Sequence, residues 1–234
     1  MGDELTDFMA RRRPDPSRPL AGLTVLVVED SRFACEAIRL LCLRSGARLR
    51  RADCLRSARR HLQTYRPTVV IVDLGLPDGS GLDLIREMRS RSAPLPAILA
   101  ISGSDEQAQA AQTAGASGFV LKPLKSLTAF QSAVLASLPA HGMPISVQPK
   151  EQDCVEPDDM ALRDDLAHAD ALLKSADADE ASYSYVAQFL SGVASSTQDQ
   201  PLAEATRAFA RDHRSGLGDL SGLVRERLAG GARF

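Results

Sequence analysis

Between Leu23 and Leu138, short apolar and β-branched runs alternate with stretches whose apolar positions recur every three to four residues. That alternation predicts strands and helices in turn, wound into one parallel sheet with helices on both faces. Five strands are predicted: LTVLVV from Leu23, ARLRRA from Ala47, TVVIVD from Thr68, LPAILAIS from Leu95 and GFVL from Gly118. The first, third and fourth are nearly all apolar, as strands covered on both faces must be, whereas the second alternates and reads as an edge. The first helix runs from about Ser31 to Arg44. Phe33, Ala37, Leu40, Leu41 and Cys42 fall near one stripe of it, and Gly46 supplies a C-cap.

The period breaks between Pro139 and Pro157, where four prolines and no sustained pattern mark a linker. Helical periodicity then returns in four stretches. Asp158–Ser175 aligns Leu162, Leu166, Ala169 and Leu173; Asp179–Ser195 aligns Tyr185, Val186, Phe189, Leu190 and Val193; Pro201–His213 and Leu217–Leu228 follow. A small helical bundle would bury these stripes. The expected organisation is a disordered arm over 1–20, an α/β unit over 21–138, a Pro-rich linker over 139–157 and a helical unit over 158–234.

Charge separates the two units further. Residues 21–150 carry 16 Lys and Arg against 10 Asp and Glu, a net +6, while residues 151–234 carry 8 against 16, a net −8. An acidic second half is a poor surface for nucleic acid phosphates. No run approaches the roughly 18 apolar residues of a membrane span, and the first residues lack a signal peptide's apolar core, so a cytoplasmic protein with no membrane partner is expected. Cys35, Cys42, Cys54 and Cys154 have no paired metal-ligand spacing, and reduced, mostly buried thiols are expected. The Arg11–Arg13 cluster beside three prolines reads as a solvated arm.

In an open parallel sheet the ligand site lies at the carboxyl ends of the strands. The polar residues at those ends are Glu29 and Asp30 after the first strand, Asp73 at the end of the third, Ser102 after the fourth, and Lys122 with Pro123 after the fifth. Three carboxylates brought together repel unless a hard cation lies between them, and Mg2+ prefers such oxygens. Glu29, Asp30 and Asp73 can supply carboxylates, and the main-chain carbonyl of Gly75 another oxygen. Asp73 is then a nucleophile toward a donor phosphorus, with Lys122 neutralising charge and the Ser102 hydroxyl donating to a phosphoryl oxygen. Taken singly, Asp73 reads as a turn aspartate, Ser102 as a helix cap, Phe119 as core and Lys122 as a solvated charge.

The runs VVEDS at Val27–Ser31, IVDLGLPDGSG at Ile71–Gly81, AISG at Ala100–Gly103 and GFVLKP at Gly118–Pro123 make this part of the chain resemble a response-regulator receiver domain of two-component signalling. The resemblance implies a flavodoxin-like five-stranded fold and a phosphoacceptor signalling role, not an enzyme beyond self-phosphorylation and self-dephosphorylation at Asp73. It implies Mg2+ as cofactor and a histidine kinase or histidine phosphotransfer protein as donor. It also implies Glu29 and Asp30 as the acidic pair, Asp73 as phosphoacceptor, Ser102 as switch hydroxyl, Phe119 as switch aromatic, Lys122 as the site lysine and a cis bond before Pro123. Glu29 stands where the family often has Asp, and Ser102 where Thr is commoner. Gly75 and Ser104 are small, which leaves the phosphoryl open to water or to a phosphatase.

No family suggests itself for residues 158–234. Two readings compete: a protein-interaction module that docks an output partner, a second copy or its own receiver, and a DNA-binding output of a transcription regulator. Arg207, Arg211 and Arg214 would serve a recognition helix, but Glu204 and Asp212 interrupt them, and interaction with protein is expected. A histidine phosphotransfer bundle is a further rival. His168 follows Asp164 and Asp165 on a polar face, but Ala171 and Leu172 stand where such domains place Lys and Gly, against which His168 reads as a surface residue. His213 reads as a helix-end residue satisfied by the dipole.

Overall fold

The computed structural model of the chain describes residues 15–91, 95–139, 153–175 and 179–230. Residues 1–14 of the expected arm, the Arg11–Arg13 cluster among them, and 140–152 of the expected linker lie outside the described residues.

Strands β1 (Thr24–Val28), β2 (Arg48–Ala52), β3 (Val69–Asp73), β4 (Ala97–Ser102) and β5 (Gly118–Leu121) form one parallel sheet in the order β2-β1-β3-β4-β5. Strand side chains alternate between faces, so β1 sends Val25 and Val27 into one core and Leu26 and Val28 into the other. Helices α1 (Arg32–Ser45) and α5 (Leu127–Ser137) close the first face. Helices α2 (Leu55–Thr64), α3 (Gly81–Arg89) and α4 (Ala108–Ala114) close the second. Strand β2 is the exposed edge that its alternation predicts. The chain order reverses across β1 and β3, so the loops leaving their carboxyl ends diverge and open a crevice.

Order begins earlier than the expected arm allows. Leu20 is fully buried in the first core and its N–H bonds to the Ser45 carbonyl, so Asp15–Leu20 fold onto the end of α1. The predicted linker is likewise pinned at its end. The Leu127 N–H bonds to the Asp153 carbonyl, and the Asp153 carboxylate accepts from Thr128 N at 2.8 Å, capping α5.

The second half is all helical: α6 (Asp159–Leu173), α7 (Glu180–Thr197), α8 (Gln200–Arg211) and α9 (His213–Gly230). Asp158, Asp179 and Asp199 cap α6, α7 and α8 through side-chain oxygens. Helix α9 starts at His213 rather than Leu217. Gly216 allows this: a Cβ there would lie 2.6 Å from the Phe209 Cα, so only glycine lets α9 turn so tightly against α8. The bundle core of Leu162, Leu166, Val186, Leu190, Phe209 and Val224 also takes in Phe33 of α1. The two halves therefore share a hydrophobic core.

Candidate phosphoacceptor site

Apolar β1 and β3 end together, which carries Glu29, Asp30 and Asp73 to one rim. Glu29 and Asp73 are buried and Asp30 is half-buried; one carboxylate oxygen from each lies within 4.8 Å of the others. Lys122 is carried in from beyond β5, where its N–H bonds to the Ser102 carbonyl at 2.8 Å and its peptide to Pro123 is cis. Its Nζ lies 2.7 Å from Glu29 Oε2 and 3.1 Å from Asp73 Oδ2. Ser102 is buried on the same rim, with its Oγ accepting from Ser104 N at 3.2 Å. Phe119 is half-buried and packs on the second core. All the rim residues named from sequence meet there. Phe119 lies outside the set lining the crevice.

The electrostatics follow from burial. Desolvation pushes Glu29 up to about 7 against the pull of Lys122, and Asp73 up to about 7 with Glu29 adding repulsion. Asp30 rises to about 6 through burial, although the Tyr185 hydroxyl opposes it. Burial works against the Lys122 charge, but the Asp73 and Glu29 carboxylates outweigh it and hold the ammonium above its ordinary range. The donor set is all hard oxygen, and its carboxylates lack enough positive charge, which is the chemistry a divalent cation suits.

Helix α7 covers this rim. Its Tyr185 hydroxyl donates to Asp30 Oδ2 at 2.5 Å, and a Cβ built on Gly192 would come 3.7 Å from Lys122 Nζ. Small residues permit the approach: Gly103 faces Ser195 and Gly192, and Gly75 faces Gln188. Between rim and helix lies a cavity of about 370 Å³, walled by Glu29, Asp73, Ser102 and Lys122 on one side and by Gln188 and Gly192 on the other. Helix α6 fixes the arrangement. Buried Asp165 accepts from Ser31 Oγ at 2.7 Å, Arg32 N at 2.8 Å and Phe33 N at 3.1 Å, so a carboxylate from one half caps α1 of the other. Arg32 and Asp164 add an exposed ion pair at 2.6 Å.

The sequence did not reveal Tyr185 and Gln188 as rim residues or Asp165 as a cap of α1. Tyr185 falls on the predicted core stripe of α7, and its hydroxyl, which a buried Tyr must satisfy, was the one available signal. His168 is exposed, sets its ring edge-on to Phe189 and is absent from the cavity lining, as a surface histidine would be. His213 differs from expectation: it opens α9, where the dipole disfavours a cation, and is satisfied by Glu180 at 3.1 Å and by the Phe209 and Tyr183 rings. Cys35 and Cys42 are buried, and burial pushes Cys42 up to about 12; Cys154 is exposed.

Residues 25–133 match the family model for the response regulator receiver domain. The KDP operon transcriptional regulatory protein KdpE of Escherichia coli (strain K12) is 34% identical over 99 residues, covering 42% of this chain and 44% of that protein. The virulence transcriptional regulatory protein PhoP of Salmonella typhimurium (strain 14028s / SGSC 2262) is 36% identical over 103 residues, covering 43% and 46%. A response regulator signal receiver domain structure from Bermanella marisrubri is 32% identical and covers 48% of this chain and 91% of that one, with a TM-score of 0.42. The chain spans about half the length of the curated relatives it matches. Among the described residues, no helix is long and apolar enough to cross a membrane.

Proposed function

Residues 25–133 being a response regulator receiver domain, we propose that the chain accepts a phosphoryl group on Asp73 from a histidine kinase or histidine phosphotransfer protein, and that its helical half is the protein-binding element this event controls. The observation that carries the reading is Lys122 Nζ lying between Glu29 and Asp73, at 2.7 and 3.1 Å, at the point where strand order reverses. An Asp73 carboxylate oxygen attacks the donor phosphorus as the bond to the donor nitrogen breaks. The Lys122 ammonium, already held by two carboxylates, meets the added negative charge, and the Ser102 hydroxyl donates to a phosphoryl oxygen. Glu29, Asp30, Asp73 and the Gly75 carbonyl would hold Mg2+, which supplies charge neutralisation for the transferring group. Ser102 drawn toward the phosphoryl vacates room for the Phe119 ring, the route by which the state of Asp73 reaches the surface.

The output reading favours protein over nucleic acid. The half at −8 packs on the half at +6, with Arg32 and Asp164 paired across the junction. KdpE and PhoP are named as transcriptional regulators, but their likeness stops at the receiver and brings no DNA-binding output to residues 158–234. Incubation with a small phosphodonor and Mg2+ tests the central claim: mass spectrometry should show one added phosphoryl, and none would overturn it.

Metal binding has a pH signature. Glu29, Asp30 and Asp73 all have folded values above their ordinary ones, at about 7, 6 and 7. The folded protein therefore holds protons that the unfolded chain releases, and the stability this contributes is lost as pH rises from about 4 through about 7. Mg2+ binds the ionised cluster, so the rise in Tm on adding Mg2+ should be larger at about pH 7.5 than at about pH 5. An equal rise at both would count against this site.

A further inference from the structure

Besides Tyr185, α7 brings a glutamine, Gln188, onto the rim. An ideal Cβ on Gly75 would lie 2.4 Å from both Cδ and Nε2 of Gln188, so the carboxamide rests directly on the backbone two residues past Asp73. The Gly75 N–H in turn faces the Asp73 carboxylate. Gln188 is exposed to the cavity rather than packed into the bundle, whereas its neighbours Ala187 and Phe189 are buried. A long polar side chain aimed at this point does nothing for the bundle core. The cavity of about 370 Å³ leaves room for a phosphoryl group and waters, at about 30 Å³ of liquid volume per water.

We propose that Gln188 of α7 positions the water that hydrolyses the acyl phosphate on Asp73, making the helical half a phosphatase toward its own receiver. The proposal rests on Asp73 being the phosphoacceptor. A carboxamide accepts through Oε1 and donates through Nε2, so it can hold a water by its O–H while donating to that water or to a phosphoryl oxygen. Phosphoryl transfer to water asks more for an oriented nucleophile than for a strong base, and a glutamine fills that role in GTP hydrolysis. The water oxygen forms a new P–O bond as the bond between phosphorus and the Asp73 oxygen breaks. The electron pair of the broken bond stays on the Asp73 carboxylate, and both water protons leave on the product as dihydrogen phosphate. Lys122 and Ser102 hold the same phosphoryl oxygens as during loading. Gly75 fits this role as well as a metal role, because any side chain there would expel the carboxamide.

The test loads the full chain with a small phosphodonor and Mg2+, removes the donor, and follows the loss of phosphoryl in wild type, Gln188→Met and Gln188→Ala. Methionine keeps the length and volume of glutamine, so α7 continues to cover the rim while the carboxamide is lost; alanine, a strong helix former, is the second variant should methionine disturb packing. Measured on the fraction that loads, loss from the methionine variant should slow roughly 10- to 100-fold, the penalty of an unpositioned nucleophile. The alanine variant should lose phosphoryl more slowly than wild type too. Loss as fast as wild type in both variants would overturn the proposal, and faster loss would show that α7 shields the phosphoryl instead. Wild type that never loads would overturn the phosphoacceptor reading itself, and this proposal with it.

Discussion

Asp73→Asn is expected to lower phosphoryl incorporation from a small donor in Mg2+ by at least about 100-fold, because the nucleophile of a covalent step has no substitute within reach. The amide oxygen is a poor nucleophile, and the other carboxylates are differently engaged. Glu29 is fully buried against Lys122, and one Asp30 oxygen accepts from Tyr185. Asparagine preserves shape but relieves repulsion with Glu29 and gives up the Lys122 partner, so the variant should fold and keep α7 docked. Incorporation measured by intact mass decides it. Retention of the wild-type rate would move the acceptor elsewhere.

Asp165→Ala is expected to release the helical half from the receiver. The carboxylate is buried and accepts three hydrogen bonds, from the Ser31 hydroxyl before α1 and from the first two N–H groups of α1, and alanine leaves those donors facing a void. Hydrogen bonds to a buried charge contribute about 1.5–3 kcal/mol each, partly offset by the burial that raises the Asp165 pKa above its ordinary value, so docking should weaken by about 2–4 kcal/mol. That is a shift of roughly 30- to 700-fold in the docking equilibrium. Amide hydrogen exchange at Arg32 and Phe33 should accelerate, and a phosphohistidine protein should transfer to Asp73 faster once α7 leaves the rim. Asp164→Ala removes only an ion pair whose side chains are 42% and 62% exposed, and should change docking by less than about 1 kcal/mol. Equal effects from the two variants would refute the assignment of the latch to Asp165.

Much of the receiver was legible because its signals are local. Five apolar runs, the spacing of helices between them and the polar residue closing each strand together place Glu29, Asp30, Asp73, Ser102 and Lys122 on one rim, since parallel strands must end on the same side. The four later helices were legible for the same reason, through Leu162, Leu166, Phe189 and Leu190 at helical spacing. The start of α9 was not, because Gly216 and Gly218 look like breakers until Phe209 is seen pressed against the first of them.

What the chain's own periodicity could not encode is where the bundle lies. Residues 153–155 return to α5, Phe33 turns from the receiver into the bundle core, and Asp165 caps a helix more than 130 residues before it in sequence. Hydropathy distinguishes buried from exposed positions without saying which partner does the burying. Tyr185 therefore counts as core whether its hydroxyl meets Asp30 or water, and Gln188 counts as surface whether it faces solvent or the backbone at Gly75. The sequence by itself determined the strands, the helices, the rim and its charges, because strand ends and helix stripes are set by neighbours a few residues away. Only the tertiary structure decided that α7 lies over Asp73, because that contact depends on glycines at 75, 103 and 192 letting two surfaces close to within side-chain reach.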